Sequence, residues 1–172
     1  ASTRYLTLAP SPETIARLAA LARVDEHDVY AATLATYDGT ALDLTGLDPT
    51  DRHSYRKVAA RGWAPAHGTQ ICPACLAEDG AWQSAWRLLV VTTCTRHESL
   101  LVARCPSCRR PFRDHRHSHL RRVGTATTCG NPLGAGPTQQ CQHDLNTIPT
   151  TPASEDVLAL QRRVAVALAG QT

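Results

Sequence analysis

The sequence lacks methionine, has a single phenylalanine and contains only 5% aromatic residues in 172 positions. The missing methionine indicates either that the initiator was removed before Ala1 or that the chain is an excised piece. No apolar run approaches the ~20 residues that cross a bilayer, and no signal peptide is recognisable, so we expect no membrane partner. So little aromatic volume predicts a modest core that needs a further stabilising element, such as disulfides or a metal.

Cysteine is present in an odd number, seven, which a closed set of disulfides cannot consume. Without a secretory signal, metal binding is the better interpretation of such a pattern. Cys72-Pro-Ala-Cys75 and Cys105-Pro-Ser-Cys108 repeat one C-P-x-C unit 33 residues apart. Two thiolates three positions apart on a tight turn can face one ion, which is the usual half-site of tetrahedral zinc.

A second half-site follows each C-P-x-C unit at a similar distance. Cys94 lies 22 residues after Cys72 and forms a C-x2-H half-site with His97. Cys129 lies 24 residues after Cys105. Sequential pairing predicts two structural Zn²⁺ ions and no catalytic residue, because four protein ligands leave no open coordination position. The predicted ligands are Cys72, Cys75, Cys94 and His97 for site 1, and Cys105, Cys108, Cys129 and Cys141 for site 2.

Three alternatives to this ligand map remain open. His143 can take the place of Cys141 in site 2, since Cys-Gln-His brings both within reach. A cross-braced arrangement would combine the two C-P-x-C units in one site, although the repeated spacing favours two like units in series. The third alternative is one zinc ion with leftover cysteines that pack as small buried hydrophobes.

The pattern along the chain predicts a small, zinc-stabilised α+β fold. Ser11 is expected to cap a first helix with Pro12 at its first position, and Asp25 to cap a second helix. We expect a helical hairpin or helix-turn-helix-like segment over residues 1–60. Two zinc-ribbon-like modules should follow in series, over 61–104 and 105–150, and a C-terminal helix over 151–172. One face of that last helix is expected to carry Val157, Leu160, Val164 and Leu168.

Positive charge is concentrated in residues 104–122, which hold seven Arg and one acid in a chain of net charge +3. Because Arg can form two hydrogen bonds with one phosphate group, this run predicts contact with nucleic acid. The alternative is a solvated surface loop that carries the same charge. The candidate DNA-binding residues are Arg109, Arg110, Arg113, Arg116, Arg121 and Arg122.

Negative charge is concentrated in residues 25–51, which hold seven acids and no Lys or Arg. Acids at the start of the second helix would repel DNA phosphates, so this helix is not expected to read DNA. We predict instead that Asp25, Glu26 and Asp28 contact a protein partner.

With these motifs laid out, the chain resembles the TniQ family of transposition proteins, which includes the target-selecting subunit of Tn7-like elements. In that family a C-P-x-C-L-x-E-x-G stretch leads to Trp, then to C-x2-H and a second C-P-x-C. The resemblance covers about residues 1–170 and is specific over 71–108. It rests on Ile71–Gly80, Trp86–Leu88, Cys94–His97, Leu100–Cys108 and Cys141–Leu145.

The resemblance implies a zinc-binding adaptor that brings a transposase and its AAA+ ATPase regulator to target DNA or to a targeting complex. We therefore expect no enzyme activity and a cytoplasmic, nucleoid-associated protein. A stand-alone DNA-binding regulator is one alternative. A nuclease of the HNH or treble-clef kind is another, because Asp114-His115 could mimic a D-H metal site. That nuclease needs a further Cys near Cys129, which Gly130-Asn131-Pro132 does not supply.

Overall fold

The computed structural model describes residues 8–48, 51, 53–59, 68–113, 124–134 and 139–170. Within these ranges the fold is small α+β, as predicted, with five α-helices and one two-stranded sheet. The chain divides into two compact units, Ala1–Pro65 with Val166–Thr172, and Ala66–Ala165. None of the helices in the described part combines the length and apolarity that a bilayer crossing requires.

The first unit opens with two helices, α1 over Pro12–Ala22 and α2 over Glu26–Ala31, which contact each other. The predicted cap of α1 is confirmed, because the Ser11 hydroxyl accepts a hydrogen bond from the backbone N–H of Thr14. Proline at the first helical position costs no hydrogen bond, since the N–H groups of the first turn have no partner inside the helix. The helical pair expected at the N-terminus is therefore present.

The turn between α1 and α2 is closed by Arg23, whose backbone is left-handed with φ of 57°. Its N–H and that of Val24 both donate to the carbonyl of Ala19, which would otherwise lack a partner at the helix end. Asp25 occupies the capping position of α2, as expected, but its side chain makes no capping hydrogen bond. Its carboxylate is exposed instead.

The described part of the first unit also contains a 3-10 turn over Leu34–Tyr37 and helix α3 over Ser54–Ala59. Aliphatic residues and one tyrosine form its core, and α2 contributes no buried residue to it. The acids of α2 are exposed. The buried side chains of the described part of this unit include Ile15, Ala19, Leu34, Leu42, Leu44, Tyr55 and Val58.

The second unit contains little regular structure. Strands β1 and β2 pair antiparallel, with Thr93 opposite Leu100 and Cys94 opposite Ser99. Elsewhere single bridges join distant stretches, such as the one between Ile71 and Val102. Its elements are α4 over Pro73–Asp79, a 3-10 turn over Ser84–Arg87, β1 over Thr93–Cys94, β2 over Ser99–Leu100, a 3-10 turn over Leu145–Thr147 and α5 over Glu155–Leu168.

The buried face of α5 differs from the one expected from its sequence. Val157 and Leu160 are exposed, whereas Leu158 and Gln161 are buried. The apolar pattern could not place Gln161 on the buried face, because such a pattern counts only hydrophobic residues. Of the four residues expected on one face, Val157 and Leu160 therefore lie outside the buried surface, whereas Val164 and Leu168 are half-buried.

Gln161 is buried because its side chain satisfies backbone groups beside β1. Its Oε1 atom accepts hydrogen bonds from the N–H groups of Thr92, at 2.9 Å, and Thr93, at 3.2 Å. Its Nε2 atom donates to the carbonyl of Val90 at 3.5 Å. A buried polar group is tolerated where its hydrogen bonds are made, so these bonds fix the rotation of α5.

Replacing this amide tests that explanation. Gln161→Leu keeps a similar volume but leaves two backbone N–H groups without an acceptor, which should lower the free energy of unfolding by about 1–3 kcal/mol. The exposed Arg163 on the same helix offers a matched control, because Arg163→Ala should change stability by less than about 0.5 kcal/mol. Denaturant unfolding of the metal-loaded protein measures both, and equal stability of the two variants would contradict the assignment.

Candidate metal centres

The first cysteine cluster is built from a helix start and a hairpin. Cys72 is the N-cap residue of α4 and Cys75 lies in its first turn. Cys94 is the last residue of β1, and His97 lies in the turn that leads to β2. Each of these four residues has one potential ligand atom in the cluster, and the four atoms lie within 4.8 Å of one another.

Distances within the first cluster match the edges of a metal-centred tetrahedron. The Nδ1 atom of His97 lies 3.2 Å from the Cys75 sulfur and 3.5 Å from the Cys72 sulfur. The sulfurs of Cys75 and Cys94 are 3.6 Å apart. Zinc–sulfur bonds of about 2.3 Å give sulfur–sulfur edges of about 3.8 Å, whereas a disulfide requires about 2.05 Å. The cluster therefore fits a shared ion and not a disulfide.

The second cluster joins the other C-P-x-C unit to two paired stretches further along the chain. The sulfurs of Cys105 and Cys141 are 3.8 Å apart, as are those of Cys108 and Cys129. All four sulfurs lie within 4.8 Å of one another. The ligand atoms therefore group in sequential sets, and the two C-P-x-C units do not share one cluster as the cross-braced alternative requires.

Cys141 and not His143 belongs to the second cluster. The backbone N–H of Cys141 donates to the carbonyl of Asn131, and that of Cys129 donates to the carbonyl of His143. This pairing places the Cys141 sulfur beside that of Cys105, whereas His143 is outside the group of ligand atoms. The Nε2 atom of His143 is buried and has no hydrogen-bond partner among the described residues.

The thiols of each cluster cannot all ionise on their own. Burial, followed by the neighbouring Cys94 and Cys72 thiolates, raises the pKa of Cys75. Burial and the Cys105 and Cys108 thiolates likewise raise the pKa of Cys129. Adjacent negative charges oppose one another, and a divalent cation removes that opposition and holds every ligand as a thiolate. The chemistry of both donor sets thus fits a tetrahedral, thiophilic metal ion.

Asn131 supports the second cluster, and no local motif in the sequence indicates this. Its side chain is 6% exposed, and its Nδ2 atom donates to the Cys108 sulfur at 3.5 Å and to the Pro111 carbonyl at 3.0 Å. Burial raises the pKa of the Cys108 thiol, but hydrogen bonds, first from Asn131 and then from the Arg110 backbone, lower it to about 7. The amide thus stabilises a ligand as its thiolate.

Three of the six arginines predicted to bind DNA lie in the described part of the chain. Arg109 and Arg110 are exposed, and the Arg110 guanidinium donates to the Pro132 carbonyl at 2.6 Å. Arg113 lies over the Trp82 ring, 4.0 Å from its centroid, which is a cation–π distance. The other three arginines, Arg116, Arg121 and Arg122, lie outside the described residues. The Asp114-His115 pair also lies outside them.

The three acids predicted to contact a partner are exposed on and beside α2. Asp25 precedes the helix, and Glu26 and Asp28 lie in its first turn, where negative charge is favourable next to the helix N-terminus. In the described part of the chain none of the three forms an ion pair.

Fold and clusters together define a small α+β protein with two cysteine-rich centres that can each hold a metal ion. The chain matches the TniQ family model over residues 1–101, which is more than half of its length. It therefore belongs to the TniQ family, which suggests a role in transposition target selection. The matched segment includes the whole first centre and ends before Cys105. Searches of curated proteins and of solved structures found no match.

Removing the Asn131 amide should weaken the second centre alone. We expect Asn131→Ala to lower its zinc affinity by about 10–100-fold, the range found when residues that orient a metal ligand are lost. Asn146→Ala is the matched control, because Asn146 is exposed on a 3-10 turn and, among the described residues, its side chain donates to no cysteine sulfur. Competition with a chromophoric chelator measures the affinities, and an unchanged second-site affinity in Asn131→Ala would contradict the assignment.

Proposed function

We propose that this protein is a zinc-stabilised adaptor in DNA transposition, linking target DNA or a targeting complex to the transposon ATPase or transposase. Membership of the TniQ family is the observation that carries the proposal. The two clusters support its zinc component, since sets of three cysteines with one histidine, or of four cysteines, at tetrahedral spacing are typical of structural zinc. Such an adaptor would act in the cytoplasm, at the nucleoid.

The metal centres have a structural role in this proposal. Each cluster offers four potential ligand atoms, which would complete a tetrahedron around a zinc ion and leave no position for water or substrate. When bound, zinc would supply the positive charge that allows the buried thiolates to lie side by side. The protein residues then hold the surrounding loops in place for binding and transfer no protons or electrons.

DNA contact is proposed for the arginines that follow the second C-P-x-C unit. Arg109 and Arg110 are exposed and form no ion pair with an acid in the described part of the chain. Arg109 has a φ of 59°, a conformation in which glycine would be unstrained, so an arginine there favours a role for its side chain. Arg113 is held against Trp82 and should contribute less than these two.

Partner contact is proposed for the acidic residues of α2. Asp25, Glu26 and Asp28 are exposed, and α2 has no buried residue. A basic surface on the ATPase or transposase would complement them, and such complementarity mainly raises the association rate at low salt. The two proposed contacts therefore depend on opposite charges and can be separated by mutation.

A binding experiment with two sets of variants tests this separation. Arg109→Ala combined with Arg110→Ala should weaken binding to all DNA sequences and flatten the salt dependence of the affinity, because phosphate contacts carry little base information. Glu26→Lys combined with Asp28→Lys should slow association with the ATPase or transposase of the same element and leave DNA affinity unchanged. Surface plasmon resonance at several salt concentrations measures both effects.

Controls for the experiment come from the exposed face of α5, where Arg163→Ala and Asp156→Lys alter charge without touching either proposed surface. Both should bind DNA and the transposition proteins as the wild type does. Wild-type protein that captures neither ATPase nor transposase would contradict the adaptor role. Sequence-specific DNA binding strengthened by Glu26→Lys and Asp28→Lys would instead favour a stand-alone regulator, and Mg²⁺-dependent nicking of plasmid would favour a nuclease.

A further inference from the structure

Glu78 contacts a ligand of the first metal centre from outside the cluster. It lies three residues after Cys75 on α4, which places the two side chains on neighbouring positions of one helix face. Its Oε1 atom is 3.0 Å from the Nε2 atom of His97. The opposite ring nitrogen, Nδ1, is the atom that faces the three sulfurs.

Arg96 holds this carboxylate in place. Its guanidinium forms an ion pair with the second oxygen of Glu78 and donates to both oxygens of Asp79 at 3.2 Å. Since Arg96 precedes His97 in the hairpin turn, these contacts connect the turn directly to α4. The two half-sites of the first cluster are thereby connected by side chains as well as by any shared ion.

We propose that Glu78 is a positioning residue for the first metal centre, which accepts the Nε2–H of His97 and thereby directs the Nδ1 lone pair at the metal. A neutral imidazole carries one N–H, and a carboxylate acceptor at Nε2 fixes the proton there. Acceptors of this kind orient the ring and raise the basicity of the coordinating nitrogen. This inference rests on the proposed zinc occupancy of the cluster.

The competing explanation is an ordinary surface ion pair. Glu78, Asp79 and Arg96 are all partly exposed, and exposed ion pairs contribute only about 0–1 kcal/mol to stability. Asp79 separates the two explanations, because it pairs with the same arginine from the same helix but makes no contact with His97 in the described structure. If only the ion pairs matter, removal of either carboxylate should have the same small effect.

Three variants of the full-length protein test the proposal. We expect Glu78→Ala to lower the zinc affinity of the first centre by about 10–100-fold. Glu78→Gln keeps a carbonyl acceptor and should lose less than about tenfold, whereas Asp79→Ala should leave the affinity near that of the wild type. Cadmium NMR distinguishes a centre with a histidine ligand from an all-cysteine centre, so each loss of metal affinity can be assigned to one centre. Unchanged metal binding at the second centre shows that the variant is folded.

A second measurement follows the histidine itself. Nitrogen NMR of the zinc-loaded protein should show His97 protonated at Nε2 and bound through Nδ1, with an Nε2–H that exchanges slowly in the wild type and rapidly in Glu78→Ala. Equal affinities in Glu78→Ala and Asp79→Ala, or unchanged exchange, would overturn the proposal while leaving the zinc centre intact. A wild-type protein without metal at the first centre would overturn both this inference and the proposed zinc occupancy.

Discussion

The close approach of ionisable sulfurs in two clusters is the constraint on which the second unit depends. Its sheet has only two residues per strand, and single bridges provide much of the remaining pairing. A structural zinc ion contributes about 10–16 kcal/mol, which equals or exceeds the whole stability of a typical domain at about 5–15 kcal/mol. Metal coordination can therefore replace the extended sheet and large aromatic core that this sequence lacks.

The residues around the clusters show how the fold supports such centres. Each centre has one ligand that is hydrogen-bonded to a side chain that is not itself a ligand: Asn131 donates to Cys108, and Glu78 accepts from His97 in the arrangement we propose. The surroundings also differ in charge, with acids and Arg96 beside the first centre and exposed arginines beside the second. On our proposal, the second centre presents its arginines to DNA, while acids of the separate first unit bind protein.

Much of the fold and of the donor sets could be predicted from the sequence, because the relevant signals are local. Ser11 and Pro12 mark a helix start within one turn, and each C-P-x-C unit carries its own geometry. The supporting residues were not predictable in this way. The hydrogen bond between Asn131 and Cys108 joins residues 23 positions apart in the sequence, and that between Gln161 and Thr92 joins residues 69 positions apart. Only the folded chain therefore reveals these contacts. The same long-range bond explains why apolar periodicity did not indicate that Gln161 lies on the buried face of α5.

We propose that two independent tetrahedral zinc centres hold the second unit together. Native mass spectrometry of the 18.6 kDa chain, combined with thermal melting before and after strong chelation, tests it most directly. We predict two zinc ions per chain, all seven cysteines reduced, and loss of the cooperative melting of the second unit when both ions are removed. One ion per chain, a disulfide between any of these cysteines, or an unchanged melting curve after complete chelation would contradict the account.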